Sequence, residues 1–337
     1  MTDPVRVGLV GLGIIAETHL AVLAERDDVI LDFTVDPRPV GPVVFRGDTP
    51  PHYGGLTQAL DAHKPDLVVL ATPTDTHAGL VAQALLGSGA RVLVEKPLVH
   101  DLASLAGLRE LDGRADVRGR LFTAHHFAFS PEVDWAAELL AAHPGWGPVT
   151  AITSAFYDPY VLRGAEAFAS YLSSWTDSGV NQLSMLTRFV DLTGLRSVSE
   201  TDGGASAWCT VGFRSRGGEG VARLRSSWLT GSSSKESGLV LGRSGVEVWI
   251  DHTAMTGFAA REGELLAVFG NDGRTPRKVA HYRPLYASLL SGRPDPVLGF
   301  DAAVTITAIH QAGAGGRGPV AGGGPGEGPG PQGWWGG

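Results

Sequence analysis

A lysine at the end of a predicted buried strand is the residue of this sequence best placed for chemistry. Val92–Val94 is a short apolar run, and Glu95, Lys96 and Pro97 follow it directly. The carboxyl ends of parallel strands form the edge of a sheet where ligands bind. An amine at that edge can hydrogen-bond a reacting oxygen or exchange a proton with it. A salt bridge to Glu95 or a solvated lysine at a strand end are the alternatives.

A glycine-rich turn near the N-terminus predicts the site of a dinucleotide. Val5–Val10 is an apolar run rich in β-branched residues, which predicts a buried strand. Gly11-x-Gly13-x-x-Ala16 follows it, and a helical pattern begins. Gly11 permits a tight turn, Gly13 lets a pyrophosphate approach the backbone, and the small Ala16 lets the helix pack closely. The anion then binds N–H groups at the start of the helix, at Ile14 and Ile15. The alternative is a strand–helix turn with incidental glycines.

An acid at the end of the next strand bears on the choice of dinucleotide. Ile30–Val35 predicts a strand that ends at Asp36, 20 residues after Ala16. A carboxylate there accepts hydrogen bonds from the adenosine ribose hydroxyls, and it would repel a 2′-phosphate. Arg38 weakens this inference, because it can pair with a phosphate, stack on adenine or be an ordinary surface arginine. The sequence therefore predicts NAD or NADP, with NAD slightly favoured.

The rhythm of the chain predicts two domains and a tail. Strands and helices alternate to about residue 121, which is typical of a doubly wound α/β sheet of the Rossmann type. Residues 122–312 predict an α+β domain with an open antiparallel sheet, because short strands there are separated by glycine turns. These strands are expected at 205–214, 220–229, 237–241, 246–250 and 265–269, after a helix at roughly 178–192. Residues 313–337 are dominated by glycine and proline, which predicts a disordered tail.

Charge and composition exclude several classes of protein. The net charge of −8 argues against binding nucleic acid or an anionic membrane. No apolar run reaches the length of a transmembrane helix, and no signal peptide is apparent. The single cysteine, Cys209, cannot form an internal disulfide, which fits a reducing compartment. We therefore expect a cytoplasmic protein.

Three motifs together resemble those of the Gfo/Idh/MocA family, named after glucose–fructose oxidoreductase, inositol dehydrogenase and rhizopine catabolism. They are the glycine turn, Ala71-Thr72-Pro73-x-x-x-His77 and Glu95-Lys96-Pro97, and the resemblance covers about residues 4–312. It implies an oxidoreductase that acts on a sugar, sugar derivative or cyclitol with NAD or NADP. It also implies a homodimer or homotetramer formed through the C-terminal sheet.

The resemblance extends the set of residues expected at the dinucleotide. The expected contacts are Gly11, Gly13, Ile14, Ile15, Asp36, Arg38, Thr72, Pro73, His77, Glu95 and Lys96. Within this set, the resemblance gives Lys96 a hydrogen bond to the reacting oxygen and to the nicotinamide ribose.

The family motif D-x-G-x-H-x-x-D is only partly retained. Asp177 and Gly179 match it, but Asn181 stands at the histidine position and Ser184 at the final acid. An asparagine orients a hydroxyl but does not take its proton. Proton transfer would then fall to Lys96, Asp177 or a water between them. Asp177 has the alternative role of capping the helix that follows.

A histidine pair offers another proton acceptor. The family's Asn-x-Arg-Phe-x-Pro-like segment reads His126-Phe127-Ala128-Phe129-Ser130-Pro131 here, so its arginine is lost, and a histidine pair, His125-His126, has appeared. His126 either lines the substrate pocket and accepts a proton, or is a hydrogen-bonded histidine at a strand end. Adjacent side chains on a strand diverge, so the pair predicts no metal site. Further pocket candidates, by position only, are Tyr157, Tyr160, Arg163 and Trp175.

Three functions compete. The first is an NAD(P)-dependent oxidoreductase, supported by the cofactor motifs with Lys96 and Asp177. The second is a non-catalytic sensor that binds a dinucleotide and a sugar, suggested by Asn181 and Ser184. The third is a glycosidase that uses bound NAD transiently to assist elimination at a sugar ring, with no net reduction of the cofactor.

Overall fold

The structure, a computed structural model, describes residues 3–39, 41–162, 173–242 and 244–314. Within these ranges the chain forms two sheets, whose strands are β1 Val5–Val10, β2 Val29–Val35, β3 His52–Tyr53, β4 Leu67–Leu70, β5 Arg91–Val94, β6 Leu121–Thr123, β7 Val149–Tyr157, β8 Asp191–Thr201, β9 Ser206–Ser215, β10 Gly218–Ser227, β11 Ser234–Leu241, β12 Val246–Asp251, β13 Thr256–Arg261 and β14 Glu264–Phe269. The α-helices are α1 Ile14–Ala24, α2 Leu56–Ala62, α3 Thr74–Gly87, α4 Leu102–Asp112, α5 Pro131–Ala142, α6 Ser174–Leu186, α7 Arg277–Leu289 and α8 Phe300–Ala314.

The six-stranded sheet is parallel, in the order β3-β2-β1-β4-β5-β6. Its central strands are apolar on both faces because helices cover both sides. In β4, Leu67 and Val69 join a core with α1 and α7, whereas Val68 and Leu70 join a core with α2, α3 and α4. The carboxyl ends of all six strands therefore open onto one edge, which carries the predicted motifs.

The eight-stranded sheet has the order β14-β13-β12-β11-β7-β10-β9-β8. Its neighbouring strands are antiparallel, except for β7 and β10, which run parallel. One face packs against α5, α6 and α8 around residues such as Ile152 and Leu224. Trp208 and Phe258 are exposed. The predicted fold class is confirmed, with the correction that the second sheet is mixed.

Two local predictions were wrong. The helix expected at 178–192 is α6, which begins at Ser174 and ends at Leu186, and residues 191–201 form strand β8. That strand is polar and lies at the sheet edge. Its sequence has no alternating apolar pattern, so the strand is specified by its pairing with β9. The short β3 and the strand β13 were not predicted.

The predicted division at residue 121 falls at the first residue of β6, which completes the six-stranded sheet. The chain also returns to this sheet later, because α7 packs against α1 through Tyr282 and Leu285. The domain limits therefore stay a proposal, and the tail from residue 315 lies outside the described residues. No helix in the described ranges has the length and apolarity needed to cross a membrane.

Buried neutral histidines should make stability depend on pH. His125 is buried, donates from Nδ1 to the Val297 carbonyl at 2.8 Å, and has its pKa lowered to about 4 by that burial. Because the unfolded side chain titrates near 6.5, the unfolded state binds the extra proton between pH 4 and 6.5. The contribution of His125 is thus fully present above pH 6.5 and falls by about 1.4 kcal/mol for each pH unit below it.

We expect His125→Gln to flatten the decline in unfolding free energy between pH 7 and 5, measured by denaturant titration. His100→Gln is the matched control, because the His100 side chain is 51% exposed. Equal slopes for His125→Gln and the parent protein would contradict this assignment.

Candidate active site

The glycine turn between β1 and α1 is shaped to receive an anion. Gly11 has φ of 87°, and a Cβ atom there would lie 2.6 Å from the Ala71 carbonyl oxygen. Gly13 precedes α1, and a Cβ atom there would meet nothing within 4 Å. No side chain caps this helix. The turn thus requires glycine at one position and leaves open space at the other, which fits a pyrophosphate at the helix N-terminus. Ile14, 83% exposed, and Ile15 begin the helix beside this space.

Asp36 ends β2 close to the glycine turn. One carboxylate oxygen accepts from the backbone N–H of Leu12 at 2.9 Å, which ties Asp36 to the turn. Arg38 donates to both oxygens, from Nε at 2.9 Å and from Nη2 at 2.8 Å. Hydrogen bonds from Arg38 hold the pKa of Asp36 well below its usual range, against the effect of burial. Arg38 thus pairs with the acid in this structure, and an adenosine ribose would have to share or replace this contact.

Thr72, Pro73 and His77 organise the loop after β4. Pro73 precedes α3, and Thr72 accepts a hydrogen bond from Thr76 at 2.8 Å. The fully buried ring of His77 lies 2.9 Å from the carbonyl oxygen of Thr72 and 2.9 Å from that of Pro97. His77 therefore joins this loop to the loop that carries Lys96, and acts on the site by positioning it.

Glu95 anchors the end of β5 in a buried network. Its carboxylate accepts from His19 Nε2 at 3.1 Å, from the Tyr282 hydroxyl and from the backbone N–H of Lys96 at 3.2 Å. The Tyr286 hydroxyl lies 2.7 Å from the other ring nitrogen of His19. Burial opposes the charge of Glu95, but the His19 and Tyr282 hydrogen bonds still hold its pKa below the ordinary value. Helices α1 and α7 thus fix the residue that precedes Lys96.

Lys96 meets the first acid of the partly retained motif. Its Nζ lies 3.2 Å from the Asp177 carbonyl oxygen and 3.4 Å from the Asp177 carboxylate. Nζ thus contacts Asp177 rather than Glu95. The Tyr160 hydroxyl donates to the other carboxylate oxygen of Asp177 at 3.0 Å. Lys96 and Asp177 keep 16% and 10% of their side chains exposed. A cation, an acid and a phenol therefore meet in one partly exposed group.

Helix α6 presents Asp177 and Asn181 one turn apart, on the same face. Ser173 caps this helix in a capping box with Thr176, so the alternative role of Asp177 as the N-cap was wrong. Ser184 donates to the Asn181 carbonyl oxygen at 2.9 Å, which keeps its hydroxyl on the backbone. The two substituted positions of the motif thus carry an amide at the site and a buried serine.

His126 follows β6, the neighbour of β5, so it lies at the same edge of the sheet as Lys96. Its ring stacks on Tyr282, with centroids 5.1 Å apart, and its Nδ1 lies 3.1 Å from Nδ1 of His281. It begins a short 3-10 helix, His126–Phe129, rather than ending a strand.

The pocket candidates predicted by position lie in different places. Tyr160 reaches Asp177, whereas Trp175 is buried in the second core and donates to the His310 carbonyl oxygen at 3.0 Å. Tyr157 is half-buried at the end of β7, and Arg163 lies outside the described residues.

Sequence reasoning missed several partners, because they come from distant parts of the chain. The missed residues include His19, Tyr282 and Tyr286, which belong to the buried network of Glu95. The buried ion pair of Lys235 with Asp158 was also missed. The two tyrosines stand four residues apart on α7, a spacing that marks one helix face but not what that face contacts.

Comparison with known proteins identifies the first domain. Residues 5–126 match the model of the Gfo/Idh/MocA family, described as an oxidoreductase family with an NAD-binding Rossmann fold. The match covers about a third of the 337 residues, and the site motifs from Gly11 to Glu95-Lys96-Pro97 lie within the matched residues.

Two curated proteins are similar to part of this chain. The chain is 31% identical to the uncharacterized oxidoreductase YdgJ of Escherichia coli (strain K12) over 138 residues, which are 37% of this chain and 35% of that protein. It is 28% identical to inositol 2-dehydrogenase of Rhizobium meliloti (strain 1021) over 131 residues, which are 38% of each chain. The matches thus span little more than a third of these relatives.

A solved structure covers almost the whole fold. GenD2 from gentamicin A biosynthesis, in complex with NAD, has a TM-score of 0.69 at 22% identity, covering 94% of this chain and 96% of that one. At this identity the likeness shows that both domains share a fold with that protein.

The two glycines of the turn give a matched pair of variants. We expect Gly13→Ala to raise the dissociation constant for NADH at least about tenfold, because its methyl group enters the space for the pyrophosphate. Its unfolding free energy should change by less than about 1 kcal/mol. Gly11→Ala should instead destabilise the protein by about 1–2 kcal/mol or more, because φ is positive there and the Ala71 carbonyl is close. NADH fluorescence titration and denaturant unfolding measure both effects, and unchanged NADH affinity in Gly13→Ala would contradict the cofactor site.

Proposed function

We propose that this chain is an NAD(P)-dependent oxidoreductase that transfers a hydride between nicotinamide and a secondary alcohol or ketone of a sugar, sugar derivative or cyclitol. The observation that carries the proposal is the contact of Lys96 with Asp177 at the carboxyl edge of the parallel sheet. The same edge holds the glycine turn that fits a pyrophosphate. One edge thus offers a dinucleotide cradle and a group of proton-exchanging side chains.

Residues of the glycine turn and of the strand ends would hold the dinucleotide. The N–H groups at the start of α1 would bind the pyrophosphate, and Asp36 would bind the adenosine ribose. Thr72 and Pro73 would border the nicotinamide half, with Glu95 and His77 fixing the loop that carries Lys96. The bound dinucleotide would supply the acceptor or donor of the hydride.

The protein's own residues would orient the reacting oxygen. Lys96 would donate a hydrogen bond to it, while Asp177 and Tyr160 hold the Lys96 ammonium group in place. Asn181, one turn further on α6, would orient the same or a neighbouring hydroxyl through its amide. These contacts position the substrate and polarise its C–O bond, which is what hydride transfer needs from the chain.

NAD is the favoured dinucleotide. Asp36 is ionised, because its pKa lies well below the usual range, and its charge would repel a 2′-phosphate. Arg38 already pairs with Asp36, and it would have to leave this contact to bind a phosphate.

Two of the proteins that this chain resembles bear on the substrate class. One is an inositol 2-dehydrogenase, which acts on a cyclitol. GenD2 is described as an enzyme of gentamicin A biosynthesis with bound NAD. The cyclitol substrate of the former supports a polyhydroxylated ring as the substrate of this chain.

A sensor that binds the same ligands without turnover is the second candidate. Asn181 and the inward-bonded Ser184 favour it, since neither accepts a proton at the site. The Lys96–Asp177 contact favours the oxidoreductase, because a sensor does not need this pair.

The second sheet supports an oligomer. Trp208 and Phe258 are large apolar side chains exposed on this sheet, which is typical of a surface covered by another protein. We propose a homodimer or homotetramer formed through the sheet.

Removal of the Lys96 amine tests the proposal. We expect Lys96→Ala to lower kcat by about a hundredfold or more with a polyol or keto-sugar substrate, because the hydrogen bond that orients and polarises the reacting oxygen is lost. NADH affinity should fall less than tenfold, because the turn and Asp36 are unchanged. Lys64→Ala is the control, since Lys64 is exposed on the loop after α2.

Absorbance of reduced nicotinamide and NADH titration give the two readouts. A wild-type rate in Lys96→Ala would contradict the oxidoreductase assignment. Tight NADH binding without turnover across a broad panel would favour the sensor.

A further inference from the structure

The second domain carries a buried acid that the proposed chemistry has not used. Glu132, near the start of α5, is fully buried. One of its oxygens accepts from His252 Nδ1 at 2.9 Å, while Oε2 has no hydrogen-bond partner among the described residues. An unsatisfied buried carboxylate oxygen is costly, so its retention calls for an explanation.

A buried histidine offers a complementary group. His281 on α7 is buried, and its Nε2 also has no hydrogen-bond partner among the described residues. The two side chains interact electrostatically, since Glu132 opposes the lowering of the His281 pKa by burial and His281 helps to lower the pKa of Glu132. These two atoms without partners, called orphan atoms below, are complementary. Nε2 of His281 can donate a hydrogen bond, and Oε2 of Glu132 can accept one.

His281 connects this acid to the candidate active site. Its Nδ1 lies 3.1 Å from Nδ1 of His126, so one of the two rings donates and the other accepts. Burial lowers the pKa of His126, and that of His281 to about 3, so both rings are neutral at pH 7. His126 stacks on Tyr282, whose hydroxyl binds Glu95, the residue before Lys96. The contact with His281 uses Nδ1 of His126, and the residue is 8% exposed.

We propose that His126, His281 and Glu132 form a proton relay that accepts the substrate hydroxyl proton in place of the histidine replaced by Asn181. This inference rests on the proposed oxidoreductase function and deepens it. His126 is the catalytic base that touches the substrate, and the other two residues act through it.

Alcohol oxidation releases a hydride from the carbon and a proton from the hydroxyl group. The C–H hydrogen leaves the carbinol carbon with its electron pair to the oxidised dinucleotide, and the C–O bond becomes a carbonyl. The hydroxyl proton passes to Nε2 of His126, whose Nδ1 proton passes to Nδ1 of His281. The Nε2 proton of His281 then passes to Oε2 of Glu132, through one bridging water or a rotation of the Glu132 side chain. The carboxylate becomes a neutral acid, and both rings stay neutral with exchanged tautomers.

The relay fixes the resting tautomers. His126 must carry its proton on Nδ1, so that Nε2 is free to accept. His281 must carry its proton on Nε2, facing the orphan oxygen of Glu132. This arrangement makes Nε2 of His281 a donor and leaves Oε2 of Glu132 as an acceptor.

The surrounding charges determine how the relay responds to pH. Lys96, Arg277 and Lys278 face His126 and lower its pKa in addition to burial. Arg277 and His252 do the same for His281. Glu132 is faced by His252, His281 and Ser130, which hold its pKa below the ordinary value although burial opposes this. These groups therefore keep both rings neutral and Glu132 ionised, which is the resting form that the relay requires.

Kinetics of two variants test the relay. Glu132→Gln and His281→Gln should each lower kcat for alcohol oxidation at least tenfold at pH 7, with NADH affinity unchanged within twofold. The pH profile of kcat should move to higher pH in both, because hydroxide or buffer must then take the proton. The double variant should fall no further than the single variants, because the residues act as one unit.

His310→Gln is the matched control. His310 is another buried histidine, with a pKa lowered by burial to about 4, and it lies against the Trp175 carbonyl outside the relay. It should lose stability while keeping kcat and its pH profile. Equal kinetic losses in His310→Gln and His281→Gln would overturn the relay.

A readout that needs no turnover separates failure of the relay from failure of the proposed function. In ¹⁵N-histidine NMR of the unmodified protein, the relay predicts the Nδ1–H tautomer for His126 and the Nε2–H tautomer for His281. Glu132→Gln should shift the His281 Nε2 resonance and leave that of His310 in place. The opposite tautomers, or no response of His281 to Glu132→Gln, would overturn the relay even in an enzyme that oxidises its substrate. The predicted tautomers in a protein without turnover would instead count against the oxidoreductase function alone.

Discussion

The carboxylate of Glu95 lies at the end of β5, almost wholly buried, and it must be satisfied by groups that the chain brings from far away. His19 on α1 and Tyr282 on α7 provide them. A buried charge that loses a partner destabilises a protein by about 3–5 kcal/mol, so these contacts constrain how the helices pack. The backbone N–H of Lys96 joins the same carboxylate, and the position of the reactive amine follows from it.

This constraint also joins the two halves of the chain. Helix α7 comes after both sheets in sequence, yet it returns to α1 and covers the six-stranded sheet. It brings Tyr282 to Glu95 and His281 to His126 in successive positions. One helix thus contributes both to the anchor of Lys96 and to the histidine pair, which explains why the candidate site depends on residues from the second half of the protein.

The parts of the fold set by local sequence could be predicted. The strand Val5–Val10 and the helix after Gly13 follow from apolar patterns and from the glycine turn, and the structure has them at those positions. The start of α6 was missed, because the Ser173–Thr176 capping box outweighs the helix-capping tendency of Asp177. Strand β8 was missed, because it is an edge strand specified by its partner β9.

The candidate site was predictable only where it is local. Lys96 and Asp177 were recognised from motifs, but the side chain that each would contact was not, since their contact joins residues 81 positions apart. Glu132 and His281 had no sequence signal at all, because a buried acid and a buried histidine become meaningful only once the fold shows that each has an atom without a hydrogen-bond partner among the described residues. Such tertiary pairs are outside the reach of periodicity and spacing.

The central claim is that the carboxyl edge of the six-stranded sheet binds a nicotinamide dinucleotide. Isothermal titration of the purified protein with NADH and with NADPH tests it most directly. The geometry of the Gly11–Gly13 turn and the charge of Asp36 predict one NADH bound per chain, more tightly than NADPH. Binding of neither dinucleotide would contradict the assignment of this edge and the chemistry built on it.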